Sequence, residues 1–170
     1  HLTVPNGRGR TDYPNSPMGA VALARQAMLD AQWYGKAWDA FNSGHAVTRT
    51  ERNDALAALQ PLISQKQVAL FVTGAEQYFL RADRFSREFN LSAIMLGSGK
   101  EYQRLEAIKQ AGRSVIVPVA FPKAPNVGSI ESARAVSLKT LMHRDIAPEN
   151  PGRIAKAGIP IMLTSHGLNK

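Results

Sequence analysis

The feature that most constrains this chain is the stretch 68–119, where short apolar runs alternate with helical patterns. The three runs are VALFVT at 68–73, AIML at 93–96 and SVIVPV at 114–119. Each is too short for a helix and rich in β-branched or aromatic residues, which predicts three strands. None alternates apolar with polar residues. We therefore expect both faces of the sheet to be buried, as in a parallel sheet covered by helices.

The segments between these runs carry apolar residues at helical spacing. Phe79, Ala82 and Phe85 recur every three residues, and Leu105 and Ile108 do the same in the next segment. Alternating strands and helices predict an α/β domain with a parallel sheet and right-handed crossovers. Functional residues of such sheets lie at the carboxyl ends of the strands. The residues at these ends are Thr73, Gly74, Gly97, Ser98, Gly99 and Pro118.

Two helices are predicted before the first strand. Residues 1–15 are rich in Pro, Gly and polar residues and predict a loop. Ser16 before a proline is typical of a helix start, and this helix is predicted to run to about Phe41. Its apolar face is formed by Met18, Ala22, Leu29 and Trp33, together with Val21 and Met28. We expect that face to be packed. A second helix is predicted to start near Thr50 or Asn53.

The pattern changes after the third strand. The proline- and glycine-rich segment 122–128 predicts a long loop, and Ser137 is a candidate cap for a short helix. Asn150, which precedes a proline, is the expected N-cap of another helix that ends at Gly158. Residues 159–163 predict a fourth strand.

Four strands cannot close a (β/α) barrel, which takes about eight. The predicted fold class is therefore α/β, a partial (β/α) TIM-type barrel with four parallel strands and flanking helices. An open four-stranded sheet is the alternative. We expect a single segment, 1–170, with a loop and leading helices in 1–64 and βα units in 65–170. Because the chain begins with His1 rather than Met, we expect it to be a piece of a longer protein.

Composition narrows the choice of partners. The net charge of +8 is spread along the chain without a run of five basic residues, so nucleic acid is not an expected partner. No stretch approaches the roughly 18 apolar residues of a membrane span. The chain has no cysteine, which excludes disulfides and thiolate metal ligands. No signal peptide is visible, and both the bacterial periplasm and the cytoplasm stay open as compartments.

The sequence Gly97-Ser98-Gly99-Lys100 suggests a phosphate-binding loop. The P-loop pattern fails because Glu101 stands where Ser or Thr is required, and the dinucleotide pattern fails because Tyr102 replaces a glycine. What remains is a glycine turn before a helix, which can hold an anion. We take Gly97, Ser98, Gly99 and Thr73 as candidate substrate- or anion-binding residues. An ordinary strand-to-helix turn is the alternative.

His166 follows the fourth strand and is the candidate catalytic and metal-binding residue. Histidine is the commonest metal ligand, but zinc needs three or four ligands. The other histidines, His1, His45 and His143, are predicted in loops or on helices away from strand ends. The alternative for His166 is a hydrogen-bonded loop residue.

Several stretches together resemble one protein family. They are DYPNSPMG at 12–19, RQ at 25–26, DAQWY at 30–34, REFNL at 87–91, LGSG at 96–99, IVPVAFP at 116–122, APENP at 147–151 and LTSHGL at 163–168. On these residues the chain resembles the amidohydrolase superfamily, in particular the imidazolonepropionase-like amidohydrolases, over essentially its whole length.

The resemblance implies a hydrolase on a (β/α)₈ barrel that uses zinc or another divalent metal to cleave a carbon–nitrogen bond. In that family the first strand carries an HxH pair, two later strands each carry a histidine, and the last carries an aspartate that binds metal and acts as base. This chain would be the later half of such a barrel. Its implied partners are a small-molecule substrate and the remaining barrel segments, and a homo-oligomer is a further possibility.

This chain departs from the family pattern at every ligand position. The resemblance implies histidines near Val72 or Thr73 and near Leu96, and an aspartate at His166. Two accounts follow. In the first, the segment belongs to a degenerate, non-catalytic barrel in a longer protein that has a working barrel elsewhere. Such a barrel would be a structural or ligand-binding module, with an anion on the Gly97–Gly99 turn. Alternatively, the segment keeps a reduced metal site with His166 as a ligand. Under either account we expect the isolated chain to be inactive.

Overall fold

The computed structural model describes Pro14 and residues 16–168. The strands are β1 (Ala69–Val72), β2 (Ala93–Leu96), β3 (Val115–Pro118) and β4 (Ile161–Thr164). The helices are α1 (Pro17–Asn42), α2 (Asp54–Ala58), α3 (Gln60–Ile63), α4 (Glu76–Glu88), α5 (Leu105–Ala111), α6 (Ile130–Ala135), α7 (Leu138–Ile146) and α8 (Asn150–Lys156). Two 3₁₀ helices span Glu101–Arg104 and Ala147–Glu149.

The strands form one open sheet in the order β1-β2-β3-β4. β2 and β3 run parallel with Met95 opposite Val115, and β3 and β4 run parallel with Val115 opposite Ile161. Each neighbouring pair of strands is joined by at least one helix, which parallel pairing requires. The predicted fold class is therefore confirmed, as four parallel strands with flanking helices. The predicted strand β2 matches the observed one, and the other three are displaced or shortened by one or two residues.

Residue contacts divide the chain into two compact units. Within the described residues, one unit consists of the chain up to residue 69 with 86–92, and the other of residues 70–85 with 93–168. Among the described helices, none combines the length and apolar character needed to cross a bilayer.

The core of the second unit lies on one face of the sheet. Strand residues Met95, Val115 and Val117 pack there against Phe79 of α4 and Ile108 of α5. Ile154 and Ile159, from α8 and the segment before β4, complete the fully or nearly fully buried cluster. These side chains recur at every second strand position, which is the spacing that places them on one face.

The opposite face of the sheet is open on the outer strands β1 and β4, whereas Leu96 on β2 is buried. Leu70 on β1 is 57% exposed and Met162 on β4 is 46% exposed, while Val72 is also exposed. The prediction that both faces are buried is therefore wrong for the outer strands β1 and β4. An uninterrupted apolar run shows that both faces are apolar, but it does not show that both are covered.

In the first unit, the buried residues of α1 are Met28, Ala31 and Tyr34, and of these only Met28 belongs to the predicted face. Leu29 and Trp33 are exposed, so the prediction of a packed face is wrong for them. Ala31 has a small side chain, and Gly35, one turn later, has none. These two residues let α3 approach α1 closely.

The α1 surface is joined to α2 and α3 by hydrogen bonds. The Gln60 side-chain amide donates to the carbonyl of Ala31 at 2.8 Å, and the Asn53 backbone N–H donates to the Tyr34 hydroxyl at 3.3 Å. A Cβ on Gly35 would lie 2.5 Å from the Gln60 Oε1 atom. A side chain at this point of α1 would displace the Gln60 amide from its present position. Pro61 lacks a backbone N–H, and the single predicted helix is replaced by two short ones.

Candidate functional site

The carboxyl ends of β1, β2 and β4 carry the residues predicted from the sequence. Thr73 follows β1, the Gly97–Gly99 turn follows β2, and His166 lies two residues beyond β4. All belong to the second unit. Their positions agree with the expectation that functional residues lie at the carboxyl ends of strands. Their hydrogen-bond partners, however, differ from one residue to the next.

Thr73 uses its hydrogen-bond donors within the sheet. Its side chain is buried, and its hydroxyl donates to the carbonyl of Leu96 at 2.7 Å. The Thr73 backbone N–H donates to the same carbonyl at 2.9 Å. Both donors of this residue therefore hold the end of β1 against the end of β2. Substrate or anion binding by Thr73 stays a prediction, and it would require the hydroxyl to leave this carbonyl.

The glycine turn after β2 surrounds a carboxylate of the protein itself. The Glu101 side chain is 1% exposed, and its Oε1 atom accepts the backbone N–H of Ser98 at 2.5 Å. The same oxygen accepts the Gly99 backbone N–H and the Ser98 hydroxyl, each at 3.2 Å. Anion binding by Gly97, Ser98 and Gly99 stays a prediction. An external anion would have to compete with Glu101 for these amides.

Asn150 completes the surroundings of this carboxylate. Its side chain is fully buried and its Nδ2 donates to the second oxygen of Glu101, Oε2, at 2.7 Å. Its Oδ1 accepts the backbone N–H of Tyr102 at 2.9 Å. The prediction that Asn150 is the N-cap of its own helix is therefore wrong. It is the first residue of α8, and its side chain joins that helix to the 3₁₀ helix after the turn.

Tyr102 connects the same turn to α7. Its hydroxyl lies 2.9 Å from Nδ1 of His143, and the two rings stack with centroids 5.9 Å apart. Burial lowers the pKa of His143 from its ordinary value of 6.5, nearby Lys100 lowers it further, and Glu101 raises it. When the neutral imidazole carries its proton on Nε2, its Nδ1 accepts a hydrogen bond from the Tyr102 hydroxyl.

His166 stands apart from this network. It is exposed, and its backbone N–H donates to the Thr164 hydroxyl at 3.2 Å. A catalytic or metal-binding role for it stays a prediction. In the part of the chain that the structure describes, no three His, Cys, Asp or Glu residues are grouped so that they could hold a metal ion. The described residues thus do not by themselves assemble the metal centre that the resemblance implies.

Sequence reasoning missed Glu101, Tyr102, His143 and Asn150 as a connected group. The signal for Glu101 was present, because it is the residue that breaks the P-loop pattern directly after the glycines. A carboxylate three residues beyond a serine in the turn, as Glu101 is beyond Ser98, can fold back on the turn's own N–H groups. No local pattern connects that turn to Asn150, which is 49 residues away along the chain.

The fold and the strand ends define an open, parallel α/β sheet of the TIM-barrel type with a self-contained hydrogen-bond network after β2. The chain is similar in structure to an amidohydrolase from Thermotoga maritima MSB8, with a TM-score of 0.65 and 17% sequence identity. The match covers 91% of this chain and 37% of that one, so the chain spans just over a third of its neighbour's length. No protein-family model and no curated protein matches the sequence. At this identity the similarity shows an amidohydrolase-like fold.

Proposed function

We propose that this chain is part of an imidazolonepropionase-like amidohydrolase barrel whose reaction is the hydrolysis of a non-peptide carbon–nitrogen bond. The substrate class is a small amide or cyclic amide. The observation that supports the proposal most directly is the amidohydrolase-like arrangement of four parallel strands over 91% of the chain. In this proposal the chain supplies βα units, while the metal ligands come from the remaining barrel segments.

The open face of the sheet supports a larger assembly. Leu70 and Met162 expose apolar side chains on β1 and β4, the two outer strands of the sheet. Exposed apolar surface on a sheet with unpaired edges is unfavourable in water and favours further pairing. The proposed occupants are additional parallel strands of the same barrel, which would continue the sheet and enclose this face.

A degenerate barrel with a structural or ligand-binding role is the second candidate. The observation that favours it is the internal use of the strand-end donors, since Thr73 binds the Leu96 carbonyl and the glycine turn binds Glu101. Groups already satisfied within the protein are poorly placed to bind a substrate. This candidate shares the fold with the first and differs in having no metal centre in the completed barrel.

The metal content of the purified chain tests whether its own residues bind a metal ion. We expect the purified chain to contain no stoichiometric divalent metal, measured by inductively coupled plasma mass spectrometry after dialysis against zinc. The His166→Ala variant should give the same result, with His45→Ala as a matched control on an exposed histidine. About one metal ion per chain, lost only in His166→Ala, would contradict the proposal and reveal a site built on His166.

A second measurement separates the two candidates. The longer protein, with this segment joined to its remaining βα units, should bind metal and hydrolyse cyclic amides if the barrel is catalytic. A folded longer protein without metal in this barrel and without hydrolysis would favour the degenerate barrel.

A further inference from the structure

The turn after β2 has the geometry of an anion-binding site that is already filled. A Cβ on Gly97 would lie 2.6 Å from the Glu101 Oε1 atom, so the carboxylate can approach the backbone only because residue 97 is glycine. Gly99 has a φ of +81°, a left-handed backbone that favours glycine. The close approach of this carboxylate therefore explains Gly97, and the left-handed backbone explains Gly99.

The donors around Glu101 come from two parts of the second unit. The backbone N–H groups of Ser98 and Gly99 bind Oε1, and the buried Nδ2 of Asn150 binds Oε2. Successive backbone N–H groups that converge on one point form a concave anion site, and hydrogen bonds to a charged acceptor are stronger than those between neutral groups. A small carboxylate ligand would meet the same donors if the Glu101 side chain were withdrawn.

We propose that the Gly97–Gly99 turn, together with Asn150, is a carboxylate-binding site whose resident ligand is the side chain of Glu101. By filling this site, Glu101 excludes external anions from the carboxyl end of β2. The inference goes beyond the proposed function and is independent of it, since it concerns only contacts within the described residues and holds for a catalytic or a degenerate barrel.

Chemical rescue of Glu101→Ala tests the proposal. Removing the side chain leaves the turn amides and Asn150 without their acceptor. We therefore expect the melting temperature to fall by roughly 5 °C. Added sodium acetate should restore part of this loss with a saturable dependence on concentration, because acetate supplies the missing carboxylate. Sodium chloride at the same ionic strength should not.

The matched control is Glu106→Ala, which removes an exposed carboxylate from the first turn of the following helix α5. Acetate should not raise its melting temperature beyond the effect seen on the wild type. If acetate stabilises Glu101→Ala no more than the wild type and Glu106→Ala, the turn does not bind carboxylates and the proposal is overturned.

Glu101→Gln provides a second test if the alanine variant does not fold. This substitution keeps the volume and one acceptor oxygen but removes the charge. In ¹H–¹⁵N spectra the amide protons of Ser98 and Gly99 should move upfield, because a neutral acceptor makes weaker hydrogen bonds. Glu106→Gln should leave both resonances in place. Unchanged Ser98 and Gly99 resonances in Glu101→Gln would overturn the assignment of Glu101 as the ligand.

Discussion

At the scale of the residue, Gly112 and Gly152 have equally open surroundings but should respond in opposite ways to substitution by alanine. Gly112 ends α5 with a φ of +66°, whereas Gly152 lies in the first turn of α8. An added Cβ would meet no atom within 4 Å at either position. Only the backbone conformation differs, so the two positions isolate the conformational preference of glycine from packing.

Gly152→Ala is expected to raise the free energy of unfolding by roughly 0.5–1 kcal/mol, because alanine favours the helix more than glycine does. Gly112→Ala is expected to lower it by about 1–2 kcal/mol, because a side chain disfavours the left-handed backbone. Urea denaturation of both variants measures these changes. Effects of the same sign in the two variants would contradict the backbone explanation.

The positions of the candidate site residues could be predicted from the sequence, but their hydrogen-bond partners could not. Strand-end reasoning placed Thr73 and the Gly97–Gly99 turn correctly at the carboxyl edge of the sheet. The acceptors that occupy them, the Leu96 carbonyl and the Glu101 carboxylate, depend on strand pairing and on how far a side chain folds back. Such information lies in three-dimensional packing and has no fixed spacing in the chain.

At the scale of the element, the contact of α7 with the turn after β2 depends on protonation. His143 on α7 faces the Tyr102 hydroxyl, with Lys100 and Glu101 as the nearby charged groups. Burial and Lys100 lower the pKa of His143, and Glu101 opposes them. The folded state therefore favours the neutral imidazole, and protonation of His143 works against the α7 contact.

This predicts a pH-dependent stability. Because the folded pKa lies below that of the unfolded chain, the unfolded chain binds more protons between the two values. The free energy of unfolding then rises with pH in that window. The contribution of His143 should be complete above pH 6.5 and should be lost as the pH falls through the folded pKa. Urea denaturation across this range should show the slope in the wild type and a smaller slope in His143→Gln.

His166→Gln is the control for that experiment, since His166 is exposed and lies outside the Tyr102 network. It should keep the wild-type slope. An equal slope in the wild type and His143→Gln would assign the pH dependence to other groups.

The elements themselves were predicted unevenly, for physical reasons. Ser16, Asn53 and Ser137 act as N-caps as their local sequences indicate, because a cap needs only its own helix. Helix α6 was missed because it lies directly after a proline- and glycine-rich segment, and its capping box uses Ser132 in place of Glu or Gln. Asn150 was misassigned because a partner on another element binds its side chain.

At the scale of the whole molecule, the sheet is apolar on both faces, but one face is exposed on its outer strands. The buried face includes Val117, and the open face includes Leu70 and Met162. Patterning alone could predict an apolar sheet with a parallel order. It could not predict which face lacks a cover, because that depends on which further segments are present.

We expect the open face to cause self-association of the isolated chain. The double variant Leu70→Thr/Met162→Thr should reduce the sedimentation coefficient at high concentration and change the stability by no more than about 0.5 kcal/mol. Val117→Thr, on the buried face, should lower the stability by roughly 2 kcal/mol. A similar loss in the double variant would show that the open face is packed in solution.

The Glu101 contact has a consequence for any search for ligands. A side chain tethered beside its own binding site acts as a competitor at a fixed effective concentration, which is in the millimolar range even for short flexible tethers. The buried and multiply hydrogen-bonded Glu101 should compete more strongly than such a tether. Weak carboxylate ligands would therefore go undetected with the wild-type chain, and Glu101→Ala is the form in which a screen of small carboxylates should begin.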